Sequence, residues 1–507
     1  MFPRLIKSTL ILFAVFAVVW VATIAWWQSI NRMPTTTDIV THMVMLPAGM
    51  VAAYLVIKRA LDGIRSNVVG AGQAATTAGA AGPATGNDGS AAQGDQHDPT
   101  RNWRAVLLAS AVRAPAGNAP DALAEAALAG KQPGIVALDG LPNPVFAAQI
   151  ESVDIETLRT EFAERLPDLA WDDEALRALT LAAEVAEELA IQAAVVEPAG
   201  LDPDAKHGNV QLIATMLLPR GWPEPRQAAA AGWLRERLSL LWPPARLTLE
   251  ATAARGDGDA LLLLDRATQA LNRPVDGQPT LRLLVAADSL IGATAVETLE
   301  QEDQLFNARC PHGRTPGEAA AGVLLGMQQA PSAPTAGNAE ADAADAGAPG
   351  ADPAPILITR AAMARLDAPT ADRGQPRLEA LGQAVSQALE AIAGKADASP
   401  ASDAAAAPPA EPDQAPSPVA TVVADTGLHP VRTVEVAQIV STRFPKLDPA
   451  ADLLALGVPC GYAGVASALL PVVVAHHLAL DGGRPVLALS ATDAHQRGAV
   501  AILPAQT

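Results

Sequence analysis

Two stretches about 200 residues apart, LRLLVAADS (281–289) and VLALSATDA (486–494), share one pattern: an apolar strand-like run that ends in an aspartate, Asp288 or Asp493. Each is followed by a second apolar run rich in small residues, GEAAAGVLLGM (317–327) and RGAVAILPA (497–505). Each is also preceded by a helical pattern, at 257–272 and at about 461–480. A helix–strand–strand unit that recurs at this spacing predicts a duplicated α/β fold.

The rest of the chain agrees with that class. Apolar runs of strand length occur at Ala105–Val112, Val210–Leu218, Leu247–Ala251, Leu281–Ala286, Ala319–Leu325, Ile356–Thr359, Val419–Val423, Val486–Leu489 and Ala499–Leu503. Helical patterns lie between them, such as Glu174–Val195, where apolar residues recur at three-to-four spacing. Strands alternating with helices imply a sheet buried on both faces. Half of the chain is hydrophobic but only 3% is aromatic, so its core has to be built from Ala, Val and Leu.

The amino-terminal region is of another kind. Leu10 to Trp27 reads LILFAVFAVVWVATIAWW without a charge, close to the length that crosses a hydrocarbon layer, and it ends in an interfacial tryptophan pair. A second apolar run, Ile39 to Ile57, is stopped by Lys58 and Arg59. The expected unit is a membrane hairpin over 1–67, with spans at about 10–27 and 39–57. Arg4 and Lys7 precede the first span and Lys58, Arg59 and Arg65 follow the second, whereas the intervening loop has only Arg32. The positive-inside rule therefore places both ends in the cytoplasm of a bacterial cell, with the hairpin in the inner membrane. His42 is expected at the outer end of the second span, reaching interfacial water.

Residues 68–100, made of Gly, Ala, Ser and Thr with little to bury, read as a flexible linker. Two more low-complexity stretches, 329–354 and 395–417, divide what remains into a first half at 101–328 and a second half at 355–507 that carries the 395–417 insert. The formal net charge is −19; residues 1–67 contribute six basic and two acidic residues, +4, so the remainder carries about −23. Such a balance excludes nucleic acid as a partner, because phosphates would be repelled.

Motifs for chemistry are scarce. There is no P-loop, no G-x-G-x-x-G and no G-x-S-x-G. Cys310 and Cys460, the two cysteines, form no zinc or disulfide framework and are expected as free thiols. In CPHGRTPG (310–317), Pro311, Gly313 and Pro316 punctuate a turn, so Cys310 and His312 read as loop chemistry and Glu318 as a structural carboxylate at a strand entry. His476 and His477 are adjacent on a helix and, with Asp493 and His495, form a poor metal set, since neighbouring helical positions diverge by about 100°. GDGD (256–259) lacks the spacing of a calcium loop and reads as a turn. The stretch 220–247 is basic and carries Trp222, Trp233 and Trp242, which could pack in a core or anchor a partner or membrane surface. No catalytic, cofactor-binding or metal-binding residue and no cofactor is assigned.

On the strand pair LVAADSL…PGEAAAGVLL, the helix start GYAGVASALLPVVVA (461–475) and the closing PVLALSATDAHQRGAVAIL, the chain resembles the thiolase-like superfamily, in particular β-ketoacyl-(acyl carrier protein) synthases. That resemblance implies a duplicated α/β/α/β/α domain, a cysteine nucleophile at a strand-to-helix elbow upstream of the Gly317–Gly322 run, and two histidines in the second half. Upstream of Cys310 there is no cysteine. Asp425 stands where the first histidine would fall, with His429 displaced, and Tyr462 stands in place of the second. The expectation is thus a catalytically silent thiolase-like protein that acts as a membrane-bound binding or assembly component of an envelope or secretion system, through a protein partner or as a homodimer. The alternative is an active acyltransferase or synthase-like enzyme that uses non-standard residues.

Overall fold

The computed structural model describes residues 99–196, 210–273, 279–328, 354–367, 376–393 and 417–505. The expected membrane spans, the linker through residue 98 and most of both low-complexity stretches lie outside the described residues. Residues Gln96–Thr507 form one compact unit.

The first half contains β1 (Arg104–Arg113), α1 (Pro120–Leu128), the short pair β2 (Ile135–Val136) and β3 (Val145–Phe146), α2 (Glu156–Arg165) and α3 (Asp173–Val195). It continues with β4 (Gln211–Leu218), α4 (Glu224–Leu238), β5 (Leu247–Ala253), α5 (Asp259–Leu271), β6 (Thr280–Ser289), α6 (Ala293–Gln301) and β7 (Glu318–Gly326). The second half contains β8 (Ile356–Thr359), β9 (Ala362–Arg365), α7 (Leu378–Ala393), β10 (Thr421–Ala424) and α8 (Pro430–Arg443). β11 (Leu453–Ala455), α9 (Gly457–Cys460), α10 (Leu470–Gly482), β12 (Val486–Ser490) and β13 (Gln496–Pro504) complete it.

All nine strand-like runs of the sequence are strands. With β9 and β11 they form an eleven-stranded mixed sheet in the order β11-β10-β12-β13-β8-β1-β7-β6-β4-β5, with β9 paired to β13. Reading outward from the centre, the two halves have one arrangement. β1 pairs antiparallel with β7, β7 antiparallel with β6, and β6, β4 and β5 run parallel. In the second half β8 pairs antiparallel with β13, β13 antiparallel with β12, and β12, β10 and β11 run parallel. β1 and β8 join the halves, with Ala105 opposite Ile358. The echo in the sequence is thus a repeat of topology: β6–β7 and β12–β13 are equivalent strand pairs, preceded by the equivalent helices α5 and α10.

Burial on both faces explains why these strands read as unbroken apolar runs. On β7, Ala319, Ala321, Val323 and Leu325 enter a core shared with α5 and α10, while Ala320 and Leu324 face α3 and α4. On β13, Val500 and Ile502 join that same shared core, and Ala499, Ala501 and Leu503 face α7 and α8. The period of two along a strand sets this division. α5 and α10 therefore form a layer common to both halves, with an outer helical layer over each. Among the described residues, one helical run, Gly464–Gly482, is apolar and long enough to cross a membrane, but it is mostly buried in this shared core.

The tryptophan-rich stretch belongs to the core. Trp222, Trp233 and Trp242 are 8%, 7% and 5% exposed and pack among Phe162, Leu189 and Leu238, so of the two readings open in the sequence the core packing holds and the surface anchor does not. Trp233 sits edge-on to Phe162 and donates its Nε1–H to Glu161 at 3.2 Å. With so few aromatics in the chain, these rings fill volume that alanine cannot.

Candidate functional site

The equivalent aspartates of the two halves act across the duplication. Asp288, at the end of β6, accepts hydrogen bonds from the backbone N–H of Val465 (3.2 Å), in the second-half segment that leads into α10, and of Ser289 (2.9 Å). Asp493, just after β12, accepts from the N–H of Gly258 (3.2 Å), the residue that caps α5 of the first half. Each half thus supplies a carboxylate to the helix start of the other. The glycines make room for it. A Cβ at Gly464, whose φ is +50°, would overlap Asp288 Oδ2, and one at Gly256 would lie 2.8 Å from Asp493 Oδ2. The aspartate pair was visible in the sequence, but this exchange was not.

Both aspartates line a cleft of about 1010 Å³ between the halves. Its floor is a charged cluster centred on Asp257, in the turn that links β5 to α5. Asp257 is 5% exposed and accepts the Tyr462 hydroxyl at 2.8 Å and Arg220 Nη2 at 3.3 Å. Arg314 Nη1 lies 3.7 Å from the same carboxylate, and its guanidinium carbon sits 4.1 Å from the centre of the Tyr462 ring. Burial and the adjacent Asp257 charge push the Tyr462 phenol well above its usual range, so it remains a proton donor. GDGD is a turn, as its sequence suggests, with Asp259 Oδ2 accepting from the N–H of Arg255 at 2.7 Å. Its second residue is nevertheless part of the cleft, joined to a tyrosine 205 positions away.

Asp288 is fully buried. Desolvation, reinforced by repulsion from Asp257 and Glu174, pushes its carboxyl up to about 7 against the pull of its two backbone donors. A carboxyl at that value, facing a cleft, can hold or release a proton near neutrality. Asp425, where the resemblance places a histidine, accepts from Ser490 Oγ (2.7 Å) and from the N–H of Ala491 (2.8 Å), and burial pushes its carboxyl up. His429 caps α8 beside it and is 8% exposed.

Neither thiol belongs to this cluster. Cys310 lies in the loop before β7 and donates its S–H to the Asp303 carbonyl at 3.0 Å. Cys460 is fully buried, and desolvation pushes its thiol up to about 12. Glu318 is the structural carboxylate that its position suggested. It is fully buried, receives Arg177 in a two-pronged pair at 2.6 and 2.8 Å, and accepts the Ile150 N–H (2.8 Å) and the Ser289 hydroxyl (3.0 Å). His476 points into the core, its Nδ1 2.8 Å from Ser110 Oγ. Asp493 and His495, in contrast, face the cleft, so His476 is separated from two of its three candidate partners. Among the described residues no group of three His, Cys, Asp or Glu could hold a metal ion.

No family model matches the chain, and no curated protein matches it. Among solved structures it is similar to the ishigamide ketosynthase/chain length factor, with 15% identity and a TM-score of 0.46 over 80% of this chain and 100% of that one. It is also similar to the ketosynthase from module 6 of the bacillaene synthase of Bacillus subtilis 168, with 11% identity and a TM-score of 0.48 over 80% of this chain and 72% of that one. A type II polyketide synthase acyl-carrier protein in complex with its ketosynthase gives 11% identity and a TM-score of 0.47 over 80% of this chain and 100% of that one. At these identities and scores none of them decides a family or an activity for this chain.

Proposed function

We propose that the protein is a thiolase-like, ketosynthase-like binding or assembly component that does not condense acyl thioesters. The observation that carries this reading is Asp257. It occupies a strand-to-helix turn upstream of the Gly317–Gly322 run, the kind of position at which the resemblance expects a thiol, and it accepts hydrogen bonds from Tyr462 and Arg220, with Arg314 close by. A carboxylate so engaged is a poor nucleophile, and among the described residues neither Cys310 nor Cys460 is hydrogen-bonded to the side-chain base that covalent catalysis needs. The shared strand order of the two halves supports the duplicated fold on which the reading depends.

Membrane anchorage by the hairpin, with the α/β unit in the cytoplasm and a protein of an envelope or secretion assembly as partner, belongs to the same proposal. Reporter fusions after residue 67 are expected to behave as cytoplasmic, and phosphatase activity there would refute that part. For catalytic silence the test is release of free thiol from acyl thioesters by the purified full-length protein, where none above buffer is expected. The alternative, an active acyltransferase or synthase-like enzyme with non-standard residues, is favoured by the poised carboxyl of Asp288. Thiol release that is lost in Asp288→Asn would establish it.

A further inference from the structure

A second, smaller pocket of about 40 Å³ adjoins the cleft through the shared residues Arg314 and Tyr462. It opens at the first turn of α8, beside the cap residue His429. Arg432, on that first turn, lines the pocket, is 4% exposed, and has a buried Nε with no hydrogen-bond partner. Among the described residues no ion pair or hydrogen bond engages its guanidinium. Arg497 nearby differs, since it is fully buried but paired in two-pronged fashion with Glu435 at 2.8 and 3.1 Å.

An unpaired buried cation is costly and is not retained as an ordinary packing element. The cost shows in the group itself: desolvation, with repulsion from Arg314 and Arg497, pulls Arg432 down to about 10. Asp425 and Asp257 offset part of that cost through space, but neither is hydrogen-bonded to the guanidinium. Asp425 has its oxygens committed to Ser490, Ala491 and Thr492, and Asp257 to Tyr462 and Arg220. The remaining lining adds no anionic side chain, but contributes the glycines Gly313, Gly427, Gly457 and Gly461, which keep the space open.

We propose that this pocket binds a carboxylate, held by the Arg432 guanidinium at the amino-terminal end of α8. A guanidinium presents paired N–H groups that match the two oxygens of a carboxylate, and a helix start favours negative charge. The size selects among anions. At one probe sphere of about 10–15 Å³ per water, the pocket holds about three water-sized groups, which suits a carboxylate end better than a tetrahedral phosphate ester. A longer acid would place its chain in the cleft past Tyr462 and Arg314. This inference is independent of whether the protein turns over thioesters.

The test uses acetate as the probe on the purified full-length protein. Isothermal titration at pH 7.5 and constant ionic strength, balanced with sodium chloride, should give saturable one-site binding. Arg432→Gln should weaken it at least tenfold, and Arg432→Lys, which keeps the charge but loses the fork, should fall between. In acetate-free buffer Arg432→Met should unfold at or above the wild-type temperature, because it removes an unpaired buried charge. Absence of saturable binding to the wild type overturns the proposal without reference to any variant. So do undiminished binding by Arg432→Gln or an Arg432→Met protein that unfolds below wild type.

Discussion

Replacing Asp288 with asparagine should make the protein more stable in base and less stable in acid than wild type. The folded carboxyl sits at about 7, against 3.8 when unperturbed. Between those values the folded state holds a proton that the unfolded state has released, so stability falls as pH rises through this window. About three units at 1.36 kcal/mol each give a cost of about 4 kcal/mol, fully present above pH 7. Asp288 is fully buried, so solvent screening does not discount the figure. Asparagine cannot ionise and escapes this cost. It can accept from only one of Val465 and Ser289, however, and the orphaned N–H costs about 1–3 kcal/mol at every pH. The stability difference between variant and wild type should therefore change by about 3 kcal/mol in favour of the variant from pH 5 to pH 8, with a crossover between. Paired urea titrations of the full-length proteins would measure this, read by the fluorescence of the buried Trp222, Trp233 and Trp242. A difference that stays flat across that range would refute the buried, proton-holding Asp288.

His476 gives the opposite slope. Burial pulls it from 6.5 to about 4, so the stability of its neutral form is present above pH 6.5 and lost as pH falls towards 4; His476→Gln should reduce that acid loss by up to about 3 kcal/mol in the same titrations. Gly464→Ala forces a side chain onto Asp288 at positive φ and should cost at least about 1–3 kcal/mol, whereas Gly232→Ala, in α4 with open space around it, should gain about 0.5–1 kcal/mol. Thermal unfolding of the two variants side by side decides whether the cleft glycines are constrained as described. Glu318→Ala strands the Arg177 guanidinium, which is 12% exposed, and should cost about 3–5 kcal/mol; a loss below about 1 kcal/mol would mean that the ion pair does not tie β7 to α3.

What the sequence revealed of this fold was carried by periodicity and repetition. Most of the nine strands were legible because both faces of the sheet are buried, which makes each a continuous apolar run, whereas β5, at the sheet edge, alternates in burial. α3 was legible because its amphipathic pattern persists over 23 residues. β11, with three residues, is too short to give a run, and β9 (AMAR) alternates buried and more exposed positions, so it lacks the continuous apolar run of the equally short β8 and β10. The duplication was readable from β6–β7 and β12–β13 because their pattern of apolar and small residues survived in both halves. The site was less legible, since its contacts are long-range. Nothing local to GDGD distinguishes Asp257 from a solvated turn aspartate; its partners Tyr462 and Arg314 come from the other half and from the loop before β7. The Trp stretch was ambiguous between core and surface, because flanking arginines resemble an interface. Here Arg226 and Arg237 lie over Trp171, Trp222 and Trp233 and so cover buried rings.

The central claim is that the turn between β5 and α5, with Asp257 in it, carries no acyl group. Intact mass spectrometry of the full-length protein after incubation with acyl thioesters tests it most directly, with Cys310→Ala and Asp257→Asn run in parallel. All three proteins should keep the unmodified mass. A covalent acyl adduct on the wild type that vanishes in Cys310→Ala or in Asp257→Asn would contradict it and assign the nucleophile in the same experiment.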